Sequence, residues 1–350
     1  MPNKKYTIKD IAELAGVSKG TVDRVLHKRG KVSEKALNKV EQVIKEIDFQ
    51  PNPIARNLKN NKLYKICVLM PDPKYDPYWV SANQGIIDAS NEFKPFGISV
   101  EKCLYHLYDG SSFAKASQKA MDFCPDAILI VPLFQEELRQ VLNVCRQRNI
   151  MVTLFDNYLE EFTGEIFIGQ DLTQSGRVAA SLLHKVVGKN DEIAVVHVDL
   201  EPHMELKEKG FVDYFNENSN DIAIITKSFS TKDTLHFKHS ADNFFQEHPM
   251  IKALFITNSK AYEILEVLPE MKKMIIVGYD LLQKNIDYLK KGKIDFLIHQ
   301  KPKRQAYLGI AYLAEHFLFQ KRIPKKELLP IDIITSENVD YYIIETSKTS

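Results

Sequence analysis

The chain has 350 residues, too many for one compact core, which suggests two or three domains. With 44% hydrophobic and 27% charged residues it reads as an ordinary soluble globular protein, and no apolar run reaches the roughly 18 residues of a membrane-spanning helix. The net charge of +1 hides an asymmetry: residues 1–65 hold 15 Lys/Arg against 7 Asp/Glu, the remainder 32 against 39. Only the first part is therefore suited to meet a polyanion. The amino terminus shows no apolar signal region. Cys67, Cys103, Cys124 and Cys145 are widely spaced and form no C-x-x-C pair, which favours free thiols in a reducing compartment. The expected location is the cytoplasm.

Thr7 and Asp10 form a capping pattern ahead of Ile8, Ile11, Ala12 and Ala15 at helical spacing. Gly16 ends this short helix. Ser18 offers a second N-cap, followed by the inward stripe Val22, Val25 and Leu26. Two short helices joined by a tight glycine-containing turn make a helix-turn-helix. Ser33 is expected to cap a third helix with the stripe Leu37, Val40, Val43, Ile44 and Ile47, closing a three-helix core. In such a module the second helix enters the major groove. Arg24 can donate two hydrogen bonds to a guanine edge, Lys19 suits a guanine or a phosphate, and Gly20 allows close backbone approach.

These residues carry a resemblance. Thr7-Ile8-Lys9-Asp10-Ile11-Ala12, Ala15-Gly16-Val17-Ser18 and Thr21-Val22-Asp23-Arg24-Val25-Leu26, continuing to Pro51-Asn52-Pro53-Ile54-Ala55-Arg56-Asn57-Leu58-Lys59, resemble the opening of LacI-family regulators. Asp23 departs from the serine usual in that family. The resemblance implies paired hinge helices that order in the minor groove and wedge a leucine, here Leu58, between base pairs. The residues expected at DNA are thus Thr7, Ser18, Lys19, Gly20, Thr21, Arg24 and His27 in the head, and Asn52, Ala55, Arg56 and Leu58 in the hinge.

From Lys65 onward apolar runs alternate with helical patterns. One set of runs is Ile66–Met70, Ala127–Val131, Met151–Phe155 and Ile166–Gly169; the second is Ile193–Val198, Ile222–Ile225, Ala253–Thr257 and Ile275–Tyr279. Such strands, separated by helices, predict parallel sheets covered on both faces. Later runs at Phe296–His299 and Ile331–Thr335 flank a helix near 303–320 and predict a chain that crosses back between lobes. The expected fold is a small all-α helix-turn-helix head (residues 1–50), a hinge (51–63) and an α/β receptor of two doubly wound parallel-sheet lobes (64–345). One lobe takes 64–170 and 301–328, the other 171–298 and 329–345. This layout resembles the type I periplasmic-binding-protein fold that LacI-family regulators carry.

In open α/β sheets ligands sit beyond the carboxyl ends of the strands. Those ends offer Asp76, Tyr78 and Trp79; Asp156 and Asn157; Asn258; Asp280; and Gln300. Tyr78 and the sole tryptophan, Trp79, can stack on a pyranose face. By the resemblance, Lys207 stands where the family usually places a ligand-binding arginine, keeping the charge without the fork. Gln170-Asp171 resembles a further crossing segment, with Asp171 also able to cap the next helix.

No dinucleotide-type glycine motif, Walker A loop or H-E-x-x-H helix appears, and His236 and His239 have no evident third metal ligand. The expectation is a non-enzyme with no cofactor and no metal: a homodimeric regulator, a repressor in the first instance, binding a palindromic double-stranded operator and a small carbohydrate effector, with no membrane partner. The alternatives are a solute-binding receptor of a sugar uptake system and a DNA-bound regulator without an effector.

Overall fold

A computed structural model describes residues 6–26, 29–47, 49, 62–158, 164–189, 191–218, 221–267 and 273–347. His27, Asn52, Ala55, Arg56 and Leu58 lie outside the described residues. The chain divides into two units, Met1–Lys62 and Leu63–Ser350.

Among its described residues the first unit holds three helices, α1 (Ile8–Ala15), α2 (Lys19–Leu26) and α3 (Glu34–Glu46). Thr7 and Asp10 form the reciprocal capping box at the start of α1, and Gly16 ends it in the left-handed conformation at φ 63°. Ser18 accepts from the Thr21 amide at 3.1 Å and opens α2. Ser33 occupies the N-cap position of α3 but makes no side-chain cap bond, so that part of the expectation is corrected. Ile11, Ala12, Ala15, Val22, Val40 and Val43 form the core, one apolar stripe from each helix.

The second unit holds two six-stranded sheets. The first contains β1 (Tyr64–Pro71), β2 (Ile98–Tyr105), β3 (Ala127–Ile130), β4 (Met151–Asp156), β5 (Ile166–Gly169) and β11 (Lys326–Leu328), in the order β11-β5-β4-β3-β1-β2. The second contains β6 (Glu192–Val198), β7 (Ala223–Phe229), β8 (Ile251–Ile256), β9 (Ile275–Tyr279), β10 (Phe296–His299) and β12 (Asp332–Ile334), in the order β12-β10-β9-β8-β6-β7. Pairing is parallel throughout except for β12, which runs antiparallel to β10. Alternate residues of β1 serve two cores: Ile66, Val68 and Met70 on one face, Cys67 and Leu69 on the other. Both faces are buried, so the strand reads as a continuous apolar run rather than an alternating one.

Helix Pro302–Phe319 packs on helix Tyr78–Phe93 of the first sheet's layer, after which β11 joins β5 and β12 returns to the second sheet. Gln170 stands at this crossing and donates to the carbonyls of His299 and Pro330, each at 2.9 Å. Asp171 caps the next helix by accepting from the Gln174 amide at 2.9 Å.

Candidate functional site

Strand ends turn sharply where the two sheets offer polar groups. Asp156, Asp199 and Asp280, each at or just beyond the end of a strand, adopt positive φ of 72°, 53° and 62°. Aspartate tolerates this conformation because its short side chain bonds locally. The chain thereby leaves each strand abruptly and puts the following residues at the sheet's carboxyl edge.

A cavity there is lined by Asp76, Tyr78, Trp79, Asp156, Glu201, His203, Asn258, Ser259 and Gln300, with about 360 Å³ of atom-free space, part of it open solvent. The first four come from the first sheet's layer, Glu201 to Ser259 from the second. Tyr78 and Trp79 meet edge to face at 4.9 Å between ring centroids, and the Tyr78 hydroxyl donates to Asp156 Oδ1. Asp76 accepts from the Tyr78 amide at 2.9 Å, and so orients the helix that carries both rings. Asn258 donates to the Val198 carbonyl at 2.7 Å and accepts from the Lys260 amide at 3.2 Å.

Six of the nine expected ligand residues thus line the cavity: Asp76, Tyr78, Trp79, Asp156, Asn258 and Gln300. Asn157, Lys207 and Asp280 do not; they are buried outside the lining. The Asp280 carboxylate accepts from the Gln300 amide at 2.9 Å and from Gln300 Nε2 at 2.6 Å, fixing that side chain. Lys207 is fully buried; its Nζ donates to the Thr257 carbonyl at 2.9 Å and sits 3.8 Å from the Tyr279 ring centroid. Its helix, Pro202–Asn218, approaches helix Leu172–His184 closely enough that a Cβ on Gly176 would fall 1.9 Å from the Lys207 carbonyl oxygen, and one on Gly210 would fall 1.9 Å from that of Thr173.

Glu201, His203 and Ser259 escaped the sequence reading. The signal was available, since Asp199-Leu200-Glu201-Pro202-His203 follows the end of β6 and obeys the same strand-end rule. Burial and neighbouring charge perturb the groups of the site. Burial pushes the Asp156 carboxyl up to about 7, with Asp280 adding to the rise and Tyr78 and Lys207 opposing it. Burial, then the Asp76 charge, pushes Glu201 up to about 8. Burial also raises Asp76. Lys207 is pulled down to about 8 by burial, against the attraction of Asp280, Asp156 and Glu201. Burial, with Lys207 and His197 nearby, holds His203 well below its usual value and therefore neutral.

In the first unit, Ser18, Lys19, Gly20 and Arg24 are exposed around the start and outer face of α2, and Thr21 is half-buried. The hydroxyls of Thr7 and Ser18 are engaged in caps, Ser18 Oγ lying 3.0 Å from Thr21 Oγ1.

Residues 66–321 match the periplasmic binding protein domain, and residues 7–52 match the bacterial regulatory proteins of the lacI family. A solved structure of a putative LacI transcriptional regulator from Bacteroides fragilis aligns with a TM-score of 0.75 and 30% identity, covering 80% of this chain and 100% of that one. The chain belongs to the lacI family. It is 46% identical over 66 residues to the ribose operon repressor of Lactococcus lactis, a match covering 19% of this chain and 20% of that relative. It is 24% identical over 340 residues to the sucrose operon repressor of Streptococcus mutans, covering 94% of this chain and 98% of the relative.

Proposed function

We propose that this lacI-family chain is a ligand-responsive transcriptional repressor that binds a palindromic operator as a homodimer and senses a small hydroxylated molecule of the sugar class. The observation that carries this reading is the polar, aromatic-lined cavity between two sheets, in a chain that also bears a helix-turn-helix head. Trp79 and Tyr78 supply an apolar wall for a ring, while Asp76, Asp156, Asn258 and Gln300 supply acceptors and donors for hydroxyls. Relatives named as ribose and sucrose operon repressors support the same reading.

In this proposal the exposed Lys19 and Arg24 meet the operator, with Thr7, Ser18, Gly20, Thr21 and His27 around them. Residues 51–63 act as the hinge, with Asn52, Ala55, Arg56 and Leu58 at the minor groove. Asn157, Lys207 and Asp280 act from behind the cavity wall by positioning its lining. Ligand binding changes operator affinity only through its differential affinity for the receptor's two states. The protein works in the cytoplasm, where the DNA is; among the described residues no helix is long and apolar enough to cross a membrane.

We assign no catalytic step. A Thr257–His197–Glu208 chain exists, with His197 2.8 Å from both partners, yet Thr257 is fully buried and its hydroxyl donates to the Val196 carbonyl at 3.2 Å. No substrate reaches that oxygen.

Genome-wide footprinting of the tagged protein, with and without a panel of sugars, tests the proposal. Discrete palindromic sites gained or lost with one sugar are expected. Diffuse, salt-sensitive binding indifferent to every ligand would leave only a generic DNA anchor.

A further inference from the structure

We propose that the effector carries a protonated amine in addition to hydroxyl groups, as an amino sugar does. This rests on the reading of the cleft as the effector site. Among the described residues, three carboxylates line the cavity, those of Asp76, Asp156 and Glu201, and no lysine or arginine lines it. Asp280 is buried behind Gln300, and Asp199 is buried just past the end of β6. Lys207 and Lys260, lysines that act on the cavity carboxylates, are both committed, and His299 Nδ1 lies 3.4 Å from Asp280 Oδ1. Lys260 pairs with Asp199 at 2.6 Å, and Lys207 donates to the Thr257 carbonyl while resting over the Tyr279 ring. The five carboxylates therefore outnumber the two ammonium groups that act on them, Lys260 on Asp76 and Glu201 and Lys207 on Asp156 and Glu201.

A neutral sugar donates hydroxyl hydrogens to such carboxylates but leaves their mutual repulsion in place. An ammonium group offsets it by pairing with them, against the cost of its own desolvation. Burial, with neighbouring carboxylates adding to it, raises the Asp156 and Glu201 carboxyls. Two further features point to such a ligand. His203 lines the cavity, is only 9% exposed, and its Nδ1 makes no hydrogen bond, lying 3.5 Å from Glu201 Oε2. A neutral imidazole nitrogen accepts readily from an ammonium N–H. Trp79 and Tyr78 offer aromatic surface, which attracts a cation as well as a sugar face. The aromatic wall also distinguishes the site from a bare metal site, and among the described residues no group of three His, Cys, Asp or Glu is arranged to hold a metal ion.

The test uses the full chain and the fluorescence of Trp79, the sole tryptophan. D-glucosamine, D-galactosamine and D-mannosamine are titrated at pH 7 beside D-glucose, D-galactose and D-mannose. At least one amino sugar is expected to bind ten times or more tightly than its neutral counterpart. Glu201→Gln, and separately Asp76→Asn, should reduce that ratio severalfold, the amino sugar losing more affinity than its neutral counterpart. A neutral sugar that binds as tightly as its amine, or more tightly, overturns the amine proposal and leaves the effector site standing. Absence of binding by all six overturns the amine proposal and contradicts the sugar-sensor reading with it.

Discussion

Lys260 Nζ lies 2.8 Å from the Tyr108 hydroxyl, although Tyr108 follows β2 at the edge of one sheet and Lys260 follows β8 inside the other. The same ammonium pairs with Asp199, which also accepts from the Thr231 amide at 2.8 Å and from its hydroxyl at 2.6 Å. Asp199 thus holds Lys260 in place, and Lys260 reaches across to the other sheet's layer beside Asn258 and Ser259. Any separation of the two lobes breaks this contact.

Tyr108→Phe removes the hydrogen bond with Lys260 and the longer one, 3.5 Å, to Asp199, and leaves the Lys260–Asp199 pair intact. A hydrogen bond of this kind contributes about 0.5–1.5 kcal/mol, so ligand affinity should fall by roughly threefold to tenfold, chiefly through faster release. Trp79 fluorescence titration measures it. Unchanged affinity and release rate would mean that the contact does not hold the lobes together.

Gly210→Ala should destabilise the second unit by about 1–3 kcal/mol or more, because the new methyl meets the Thr173 backbone rather than a flexible side chain. The same holds for Gly176→Ala against the Lys207 carbonyl. Gly292→Ala, whose Cβ meets nothing within 4 Å but whose φ is 65°, isolates the effect of backbone strain alone. Urea unfolding with a shared slope compares them. Equal midpoints for Gly210→Ala and wild type would show that the helices separate without cost.

The pH dependence of stability has a definite sign. Asp156 and Glu201 titrate near about 7 and about 8 when folded, and in the ordinary carboxylate range when unfolded. Between about 4 and 8 the folded ligand-free protein therefore binds more protons than the unfolded chain, and stability falls as pH rises through 7 to 8. His203, held down and neutral, acts in the opposite sense below about 6.5, and Lys207, held down to about 8, does so above about 8. The melting temperature at pH 8 should be lower than at pH 6 by about 2 °C or more, and Glu201→Gln should flatten the profile. A profile that rises over this range in wild type, or is unchanged by Glu201→Gln, contradicts the assignment.

Much of this was legible in the chain, for identifiable reasons. The Thr7–Asp10 box, Gly16 and the stripe through Val22 and Val40 are short-range signals, and they reappear as helices with that core. Strands buried on both faces, such as β1 and β8, announce themselves as apolar runs. The edge strand β2 does not: it has one neighbour, and Ser99, Glu101 and Lys102 interrupt its apolar pattern. β11 is three residues long and also at an edge. At the site, the strand-end rule found Asp76, Asp156, Asn258 and Gln300. It did not separate the cavity wall from the layer behind it, where Asp280 and Lys207 sit, because that depends on which side chain is already bonded to a neighbour. Glu201 lies two residues past the turn at Asp199, and Tyr108 meets Lys260 across 152 positions, beyond any local pattern.

Arg24 is exposed at the last turn of α2. If it reads a guanine, Arg24→Ala should weaken operator binding by about 1–3 kcal/mol and relax preference at one base pair. Binding to a library of operator variants distinguishes this from phosphate contact, which would lower affinity for every sequence alike.

The central claim is that one ligand equilibrium is coupled to one DNA equilibrium, and its direct test is operator affinity measured by fluorescence anisotropy at zero and saturating ligand. The account predicts a change of about 5-fold to 150-fold, with operator DNA changing ligand affinity by the same factor, as linkage requires. Identical operator affinity in both conditions, with the ligand demonstrably bound through Trp79, would contradict it.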